Sequence, residues 1–121
     1  MAKDLSISTL YDFYGELLTE KQQEVIELYY NEDLSLAEIA QHSNITRQGV
    51  RDSIKRAELQ LQELERQLGL AERFGIIQSS LERILKNASE IDQLNTRLQG
   101  SREISVRTEE IVSLAKQIAE Q

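Results

Sequence analysis

Hydrophobic residues recur along this chain at intervals of three and four positions, and no strand signal competes with that spacing. Such intervals place apolar side chains on one face of an α-helix. Three runs carry the pattern: Val50, Ile54, Ala57, Leu61, Leu64 and Leu68, then Phe74, Ile77, Leu81, Ile84, Ala88, Ile91 and Leu98, and finally Ile104, Thr108, Ile111, Ala115 and Ile118. The pattern predicts an all-α protein that ends in long helices.

Polar residues mark where shorter helices begin in the first half of the chain. Residues 19–22 (TEKQ) and 35–38 (SLAE) each have the form of a capping box, in which two side chains satisfy first-turn amides reciprocally. Thr46 offers the same capping oxygen, and it follows Ser43 and Asn44, residue types that tolerate a turn. The sequence therefore predicts one helix from residue 20, a short second helix from residue 36 and a third from residue 47.

Two helices separated by so short a turn predict a helix-turn-helix within residues 34–56. In this motif a first helix braces a second helix, whose N-terminal residues can enter the major groove. The small shared core is predicted to consist of Leu36, Ile39, Ala40, Ile45, Val50 and Ile54. We therefore predict a helix-turn-helix domain with an extended recognition helix over residues 1–68. Residues 69–121 are predicted to form a C-terminal helical extension for oligomerisation or partner binding.

The charge of the chain is unevenly distributed. A net charge of −7 argues against indiscriminate binding to nucleic acid, because phosphate contacts need local positive charge. Residues 46–57, however, contain four basic residues against one acidic residue, a balance of +3, whereas residues 1–45 contain two basic against nine acidic residues, a balance of −7. This distribution favours the start of the third helix as the contact with nucleic acid.

Six side chains at the start of the third helix fall away from its apolar seam and are the predicted nucleic-acid contacts. They are Thr46, Arg47, Gln48, Arg51, Lys55 and Arg56. Arginine donates bidentately to guanine and glutamine pairs with adenine, so Arg47, Arg51 and Gln48 suit base edges. The other three suit phosphates. The competing interpretation is that all six are solvated groups on the surface of a long helix.

No residue pattern indicates an enzyme, a metal site or a bound cofactor. The chain has no cysteine, and no other ligand accompanies its one histidine, His42. Its carboxylates and serines form no arrangement typical of catalysis. The aromatic residues of the first thirty positions are expected to pack in the core rather than stack on bases. Because the sequence has neither a basic-then-apolar leader nor 18 consecutive apolar residues, it indicates a cytoplasmic protein without membrane insertion.

Five motifs within residues 5–68 carry a resemblance to a known family. They are residues 11–22 (YDFYGELLTEKQ), 28–30 (LYY), 32–40 (EDLSLAEIA), 46–50 (TRQGV) and 54–56 (IKR). On these motifs the chain resembles the YlxM family of small bacterial proteins. The resemblance implies a cytoplasmic protein with a helix-turn-helix similar to region 4 of sigma factors. It also implies regulation of the signal recognition particle pathway, or binding to its ribonucleoprotein, because the family's genes lie beside those of that pathway.

The chain differs from the family at two places. Gly49 stands where alanine is common, and glycine lowers helix stability by about 1 kcal/mol relative to alanine. The segment after Gly100 is expected to extend beyond the usual family length.

Two functions are compatible with these features. The first is a nucleic-acid-binding regulator that acts through the basic helix. The second is a non-enzymatic adaptor, in which the acidic first half and the C-terminal helices bind a basic protein of the signal recognition particle without groove contact. We also predict self-association, with a homodimer as the default, because a chain of this length cannot bury the apolar seams of three long helices by itself.

Overall fold

Residues 2–120, which the computed structural model describes, form six α-helices and no strand. The helices are α1 (Ser6–Tyr14), α2 (Glu20–Ile26), α3 (Leu36–Ser43), α4 (Arg47–Leu68), α5 (Leu70–Arg97) and α6 (Arg102–Ala119). The predicted all-α fold with long C-terminal helices is confirmed, and α3 and α4 begin at residues 36 and 47 as the capping residues indicated.

Two irregular turns separate the first three helices. A 3₁₀ turn at Gly15–Leu17 follows α1, and a Cβ atom at Gly15 would lie only 2.9 Å from the Tyr11 ring, so this position needs glycine. A π-helical turn at Glu27–Asn31 continues α2 and buries Leu28 and Tyr29. The chain therefore stays helical almost to the start of α3.

The described chain divides between Ala71 and Glu72 into two compact units. In the first unit, α1, α2 and α3 all pack against α4. This arrangement follows from the apolar face of α4, because each apolar stripe is stabilised by removal from water. The largest fully buried side chains of this core are Ile7, Tyr14, Val25, Ile26, Ile39, Val50, Ile54 and Leu61.

A buried tyrosine fixes the junction between α4 and α5, within the first unit. Gly69 ends α4 in the left-handed region with φ of 63°, as expected for a glycine C-cap. The Tyr14 hydroxyl donates to Glu65 at 2.6 Å and accepts from the Leu70 amide at 3.0 Å, while Glu65 also accepts from the Ala71 amide. Burial, with the bond to Glu65, raises the pKa of Tyr14. The first amides of α5 thus have partners.

The second unit is a hairpin of α5 and α6. Asn95 closes the connection between them, since its side-chain amide donates to the Ser101 carbonyl at 2.7 Å and its oxygen accepts from the Ser101 amide at 3.0 Å. The buried side chains of this unit, among residues 72–120, are Leu81, Ala88, Thr108 and Ala115. None of the helices in residues 2–120 is both long enough and apolar enough to span a bilayer.

Candidate nucleic-acid interface

The capping box at the start of α3 has the predicted geometry. The Ser35 hydroxyl accepts from the Glu38 amide at 3.1 Å, and the Glu38 carboxylate accepts from the Ser35 amide at 3.1 Å. These bonds hold the pKa of Glu38 below its usual value, the backbone amide contributing most. The reciprocal bonds give α3 a fixed start, which is what a short bracing helix needs.

The turn between α3 and α4 depends on Asn44 and Thr46. Asn44 ends α3 with φ of 56°, a left-handed conformation that asparagine tolerates better than most residues. The Thr46 hydroxyl then accepts from the Gly49 amide at 2.9 Å and starts α4. A Cβ atom at residue 49 would lie 3.1 Å from this hydroxyl oxygen, so glycine leaves room around the cap. The turn is therefore short and specified at both ends.

The small core predicted for this motif holds α4 against α3. Ile39, Val50 and Ile54 are completely buried, and Leu36, Ala40 and Ile45 are partly buried beside them. Because the buried residues occupy one side of α4, the other side of its first three turns faces solvent.

All six predicted contact residues lie on that solvent-facing side. Thr46, Arg47, Gln48, Arg51, Lys55 and Arg56 are each exposed. Arg47, Arg51 and Lys55 follow one another at successive turns, which gives a row of cations along the helix. The Gln48 amide donates to Asp52 at 3.1 Å and is oriented by it. Within residues 2–120, none of these cationic side chains forms an ion pair with a carboxylate.

Two shallow clefts flank this row of side chains. The first lies against α3 and is lined by Leu36, Arg47, Gln48 and Arg51. The second lies against the start of α2 and is lined by Thr19, Lys21, Gln22, Ile45, Gly49, Asp52, Ser53 and Arg56. The second cleft brings Lys21 and Arg56 to one surface, although 35 positions of sequence separate them.

Lys21 is the cation that sequence reasoning missed. It lies inside the first capping box and among nine acidic residues, so no local feature of the sequence singled it out. Only the packing of α2 on α4 places it beside the basic helix. The surface that faces solvent around α4 is therefore more basic than residues 46–57 alone indicate.

The remaining polar and aromatic candidates have structural partners. His42 lies at the surface with its Nδ1 atom 3.4 Å from Glu24, and residues 2–120 contain no group of three or more potential metal ligands. Tyr14 and Tyr29 are buried, and the other aromatic residues of the first unit pack against the core. Burial and a hydrogen bond to Glu27 raise the pKa of Tyr11 to about 12. The prediction that these rings pack in the core is confirmed.

Comparison with known proteins identifies the family of the chain. The family model described as "Putative helix-turn-helix protein, YlxM / p13 like" (UPF0122) matches residues 1–101. The chain belongs to this family. It is 42% identical over 115 residues to a UPF0122 protein of Acetivibrio thermocellus, with 93% of this chain and 98% of the relative covered.

Two further members of the UPF0122 family are similar to this chain over shorter aligned segments. A protein of Desulforamulus reducens is 53% identical over 79 residues, which cover 65% of this chain and 68% of the relative. UPF0122 protein YofM of Lactococcus lactis is 45% identical over 98 residues, which cover 81% of this chain and 88% of the relative. The family model describes these relatives and this chain alike as helix-turn-helix proteins.

The similarity extends beyond the sequence motifs that first indicated it. Those motifs lie within residues 5–68, whereas the family model reaches residue 101. The relative from Acetivibrio thermocellus matches over nearly its full length and over 93% of this chain. The family model thus ends where the segment after Gly100 begins, while the alignment with this relative includes part of that segment.

Proposed function

We propose that this UPF0122 protein is a regulatory protein that binds nucleic acid, DNA or RNA, through the first three turns of α4. The observation that carries the proposal is the exposure of all six polar and cationic side chains on the helix that follows the capped turn. A helix-turn-helix presents its second helix to the major groove in this way. The family description supports the same class of function.

The six side chains divide between two tasks in this proposal. Arg47, Gln48 and Arg51 stand nearest the start of α4, where an inserted helix meets base edges. Thr46, Lys55 and Arg56 contact phosphates and fix the position of the helix. Lys21 adds a phosphate contact from the second cleft, because it shares that surface with Arg56.

The acidity of the remaining chain would restrict how nucleic acid approaches. Residues 1–45 carry a balance of −7, so a polyanion is repelled from most of the first unit and attracted to α4. Affinity should then depend steeply on salt, since most of the attraction comes from a few cations.

The cellular setting belongs to the proposal as well. We propose that the protein acts in the cytoplasm and in the signal recognition particle pathway, supported by the resemblance of its motifs to the YlxM family. The alternative is an adaptor that binds a protein of that particle without groove contact. The acidic surface of the first unit favours this alternative, because it would attract a basic protein.

Salt dependence tests the proposal against the adaptor alternative. We expect the affinity for a mixed-sequence duplex of about 20 base pairs to fall with a log–log slope of roughly −3 to −4, one unit per phosphate-contacting cation. The variant Lys55→Gln, Arg56→Gln should lower that slope by about two units and weaken binding to all sequences alike. Fluorescence anisotropy at several salt concentrations measures both quantities.

An RNA hairpin of similar length is the second probe in the same titration. The matched control is Lys86→Gln, Arg97→Gln, which removes two exposed cations from α5. If the control lowers the slope as much as the α4 variant, or if neither probe binds, the assignment to α4 is contradicted. Retention of a protein partner after nuclease treatment would then support the adaptor.

Self-association and a division of labour complete the proposed function. We propose that the helix-turn-helix domain, residues 1–68, contacts nucleic acid and that residues 69–121 pair two copies as a homodimer. The support is the large apolar surface left exposed on α5 and α6.

A further inference from the structure

The second unit exposes an unusual set of large apolar side chains. Six isoleucines recur at seven-residue intervals on α5 and α6, and each is 43–55% exposed. They are Ile77, Ile84 and Ile91 on α5 and Ile104, Ile111 and Ile118 on α6. We call this set the isoleucine face. Seven-residue spacing places successive members on the same side of a helix, as in a coiled coil.

The isoleucine face lies beside the buried line of the hairpin and is continuous across its two helices. Leu81, Ala88, Thr108 and Ala115 are buried, and each of the six isoleucines lies three or four residues from one of them. The other side of the hairpin holds a cleft lined by both helices. Its residues include the apolar Leu85, Ala88 and Val112 beside the polar Ser89, Asp92, Ser113 and Lys116. None of the six isoleucines lines this cleft.

The two rows of isoleucines match in height. The cleft is lined by both helices, and the Asn95 side chain donates to Ser101 and Ser105 across the connection, so the helices run antiparallel from it. Residues equally distant from the connection then lie side by side. Ile91 is then at the same height along the hairpin as Ile104, Ile84 as Ile111 and Ile77 as Ile118. The face is thus three rungs of two isoleucines each.

The surroundings of the isoleucine face suit a second copy of the chain. The exposed positions three residues after the isoleucines contain no acidic residue and are Ser80, Asn87, Leu94, Arg107 and Leu114. The guanidinium of Arg107 lies 3.7 Å from Glu103, which offsets its charge. An anionic bilayer would need a cationic rim, whereas the exposed residues directly before Ile91, Ile104 and Ile111 are glutamates. The six isoleucines themselves carry no charge, so a second copy can cover them without burying a carboxylate of the face.

The area of the face also fits a dimer. The six isoleucines with Leu94 and Leu114 expose on the order of 500 Å² of apolar surface per copy. A standard interface buries about 800 Å² per partner, and about two-thirds of that is apolar in homodimers. Two helices alone bury few side chains, so the hairpin gains the second layer it lacks when another hairpin covers it.

We propose that the isoleucine face is an isologous dimer interface, in which two hairpins pack as a four-helix bundle. The proposal rests on the self-association stated above and adds the surface that produces it. An isologous contact uses one patch on both copies, and the three-rung face is a patch that its own equivalent can cover.

The test compares two double variants of the full chain by light scattering at high micromolar concentration. Wild type should have twice the 13.9 kDa mass of one chain. Ile84→Glu, Ile111→Glu should dissociate on the order of 100-fold more readily, because it places carboxylates inside the bundle. The matched control Ser89→Glu, Ser113→Glu adds the same charge to the same two helices on the cleft side and should remain dimeric.

A cross-link decides the matter if the glutamate variant loses helicity by circular dichroism. Since the chain has no cysteine, Ile84→Cys and Ser113→Cys each introduce a single thiol. A short bismaleimide should join two copies through residue 84 and not through residue 113. Monomeric wild type would contradict self-association as a whole. A dimer that survives the glutamates at residues 84 and 111, or that cross-links equally through residue 113, would contradict the isoleucine face alone.

Discussion

Replacing Arg47 and Arg51 together by alanine is expected to weaken nucleic-acid binding on the order of 100-fold or more. Each bidentate contact of an arginine with a guanine contributes about 1–3 kcal/mol of discrimination, and each arginine also neutralises phosphate charge. Both side chains are exposed, so the free energy of unfolding should stay within about 0.5 kcal/mol of wild type. Anisotropy titration gives the affinity, and urea unfolding gives the stability.

The control for this variant removes two arginines elsewhere. Arg73→Ala, Arg83→Ala changes the net charge by the same amount at exposed positions of α5. It should weaken binding only slightly, through the general loss of positive charge. Equal losses in the two double variants would mean that net charge, and not the surface of α4, determines affinity.

Ile54→Ala is expected to lower the free energy of unfolding of the first unit by about 3 kcal/mol. Ile54 is completely buried where α4 packs on the other helices of this unit. Its truncation loses the transfer free energy of the side chain and leaves a cavity, and such changes cost about 2–5 kcal/mol. All four tyrosines lie in the first unit, and the chain has no tryptophan, so tyrosine fluorescence during urea unfolding reports on this unit.

Leu59→Ala provides the comparison on the same helix. Leu59 is 65% exposed, so its truncation should change the free energy of unfolding by less than about 0.5 kcal/mol. A loss below about 1 kcal/mol for Ile54→Ala would show that the helix-turn-helix core does not depend on this contact. A large loss for Leu59→Ala would show that the exposed side of α4 is covered in solution.

Helix starts were predictable because their chemistry is local. The capping boxes at Thr19 and Ser35 need only residues three positions apart, and both have the expected bonds. The left-handed end of α3 at Asn44 and the glycine cap at Gly69 follow from single residues in the same way. The π-helical turn at Glu27–Asn31, which buries Leu28 and Tyr29, had no such local signal in the sequence.

Burial along the long helices was harder to predict than their existence. The apolar period of α5 includes Leu81 and Ile84 alike, yet Leu81 is buried and Ile84 is 44% exposed. A seven-residue period shows that a helix has an apolar face, but it does not say how many neighbours share that face. In the hairpin, α5 packs against one neighbouring helix, α6. That contact buries Leu81 and leaves Ile84 at the surface.

The candidate site was predictable in part. The row from Thr46 to Arg56 lies on one helix, so helical period alone separates its exposed side from the side that carries Val50 and Ile54. Lys21 could not be found in this way, because its place beside Arg56 depends on how α2 packs on α4. Contacts between helices, unlike those within one, need the fold.

Mapping backbone amides of the ¹⁵N-labelled chain by NMR during titration with a mixed-sequence duplex of about 20 base pairs, and with an RNA hairpin of similar length, tests the central claim most directly. Chemical-shift changes clustered at residues 46–56 and at Lys21, with either probe, are the predicted result. Changes confined to α5 and α6, or a saturating complex that leaves Arg47, Gln48 and Arg51 unperturbed, would contradict it.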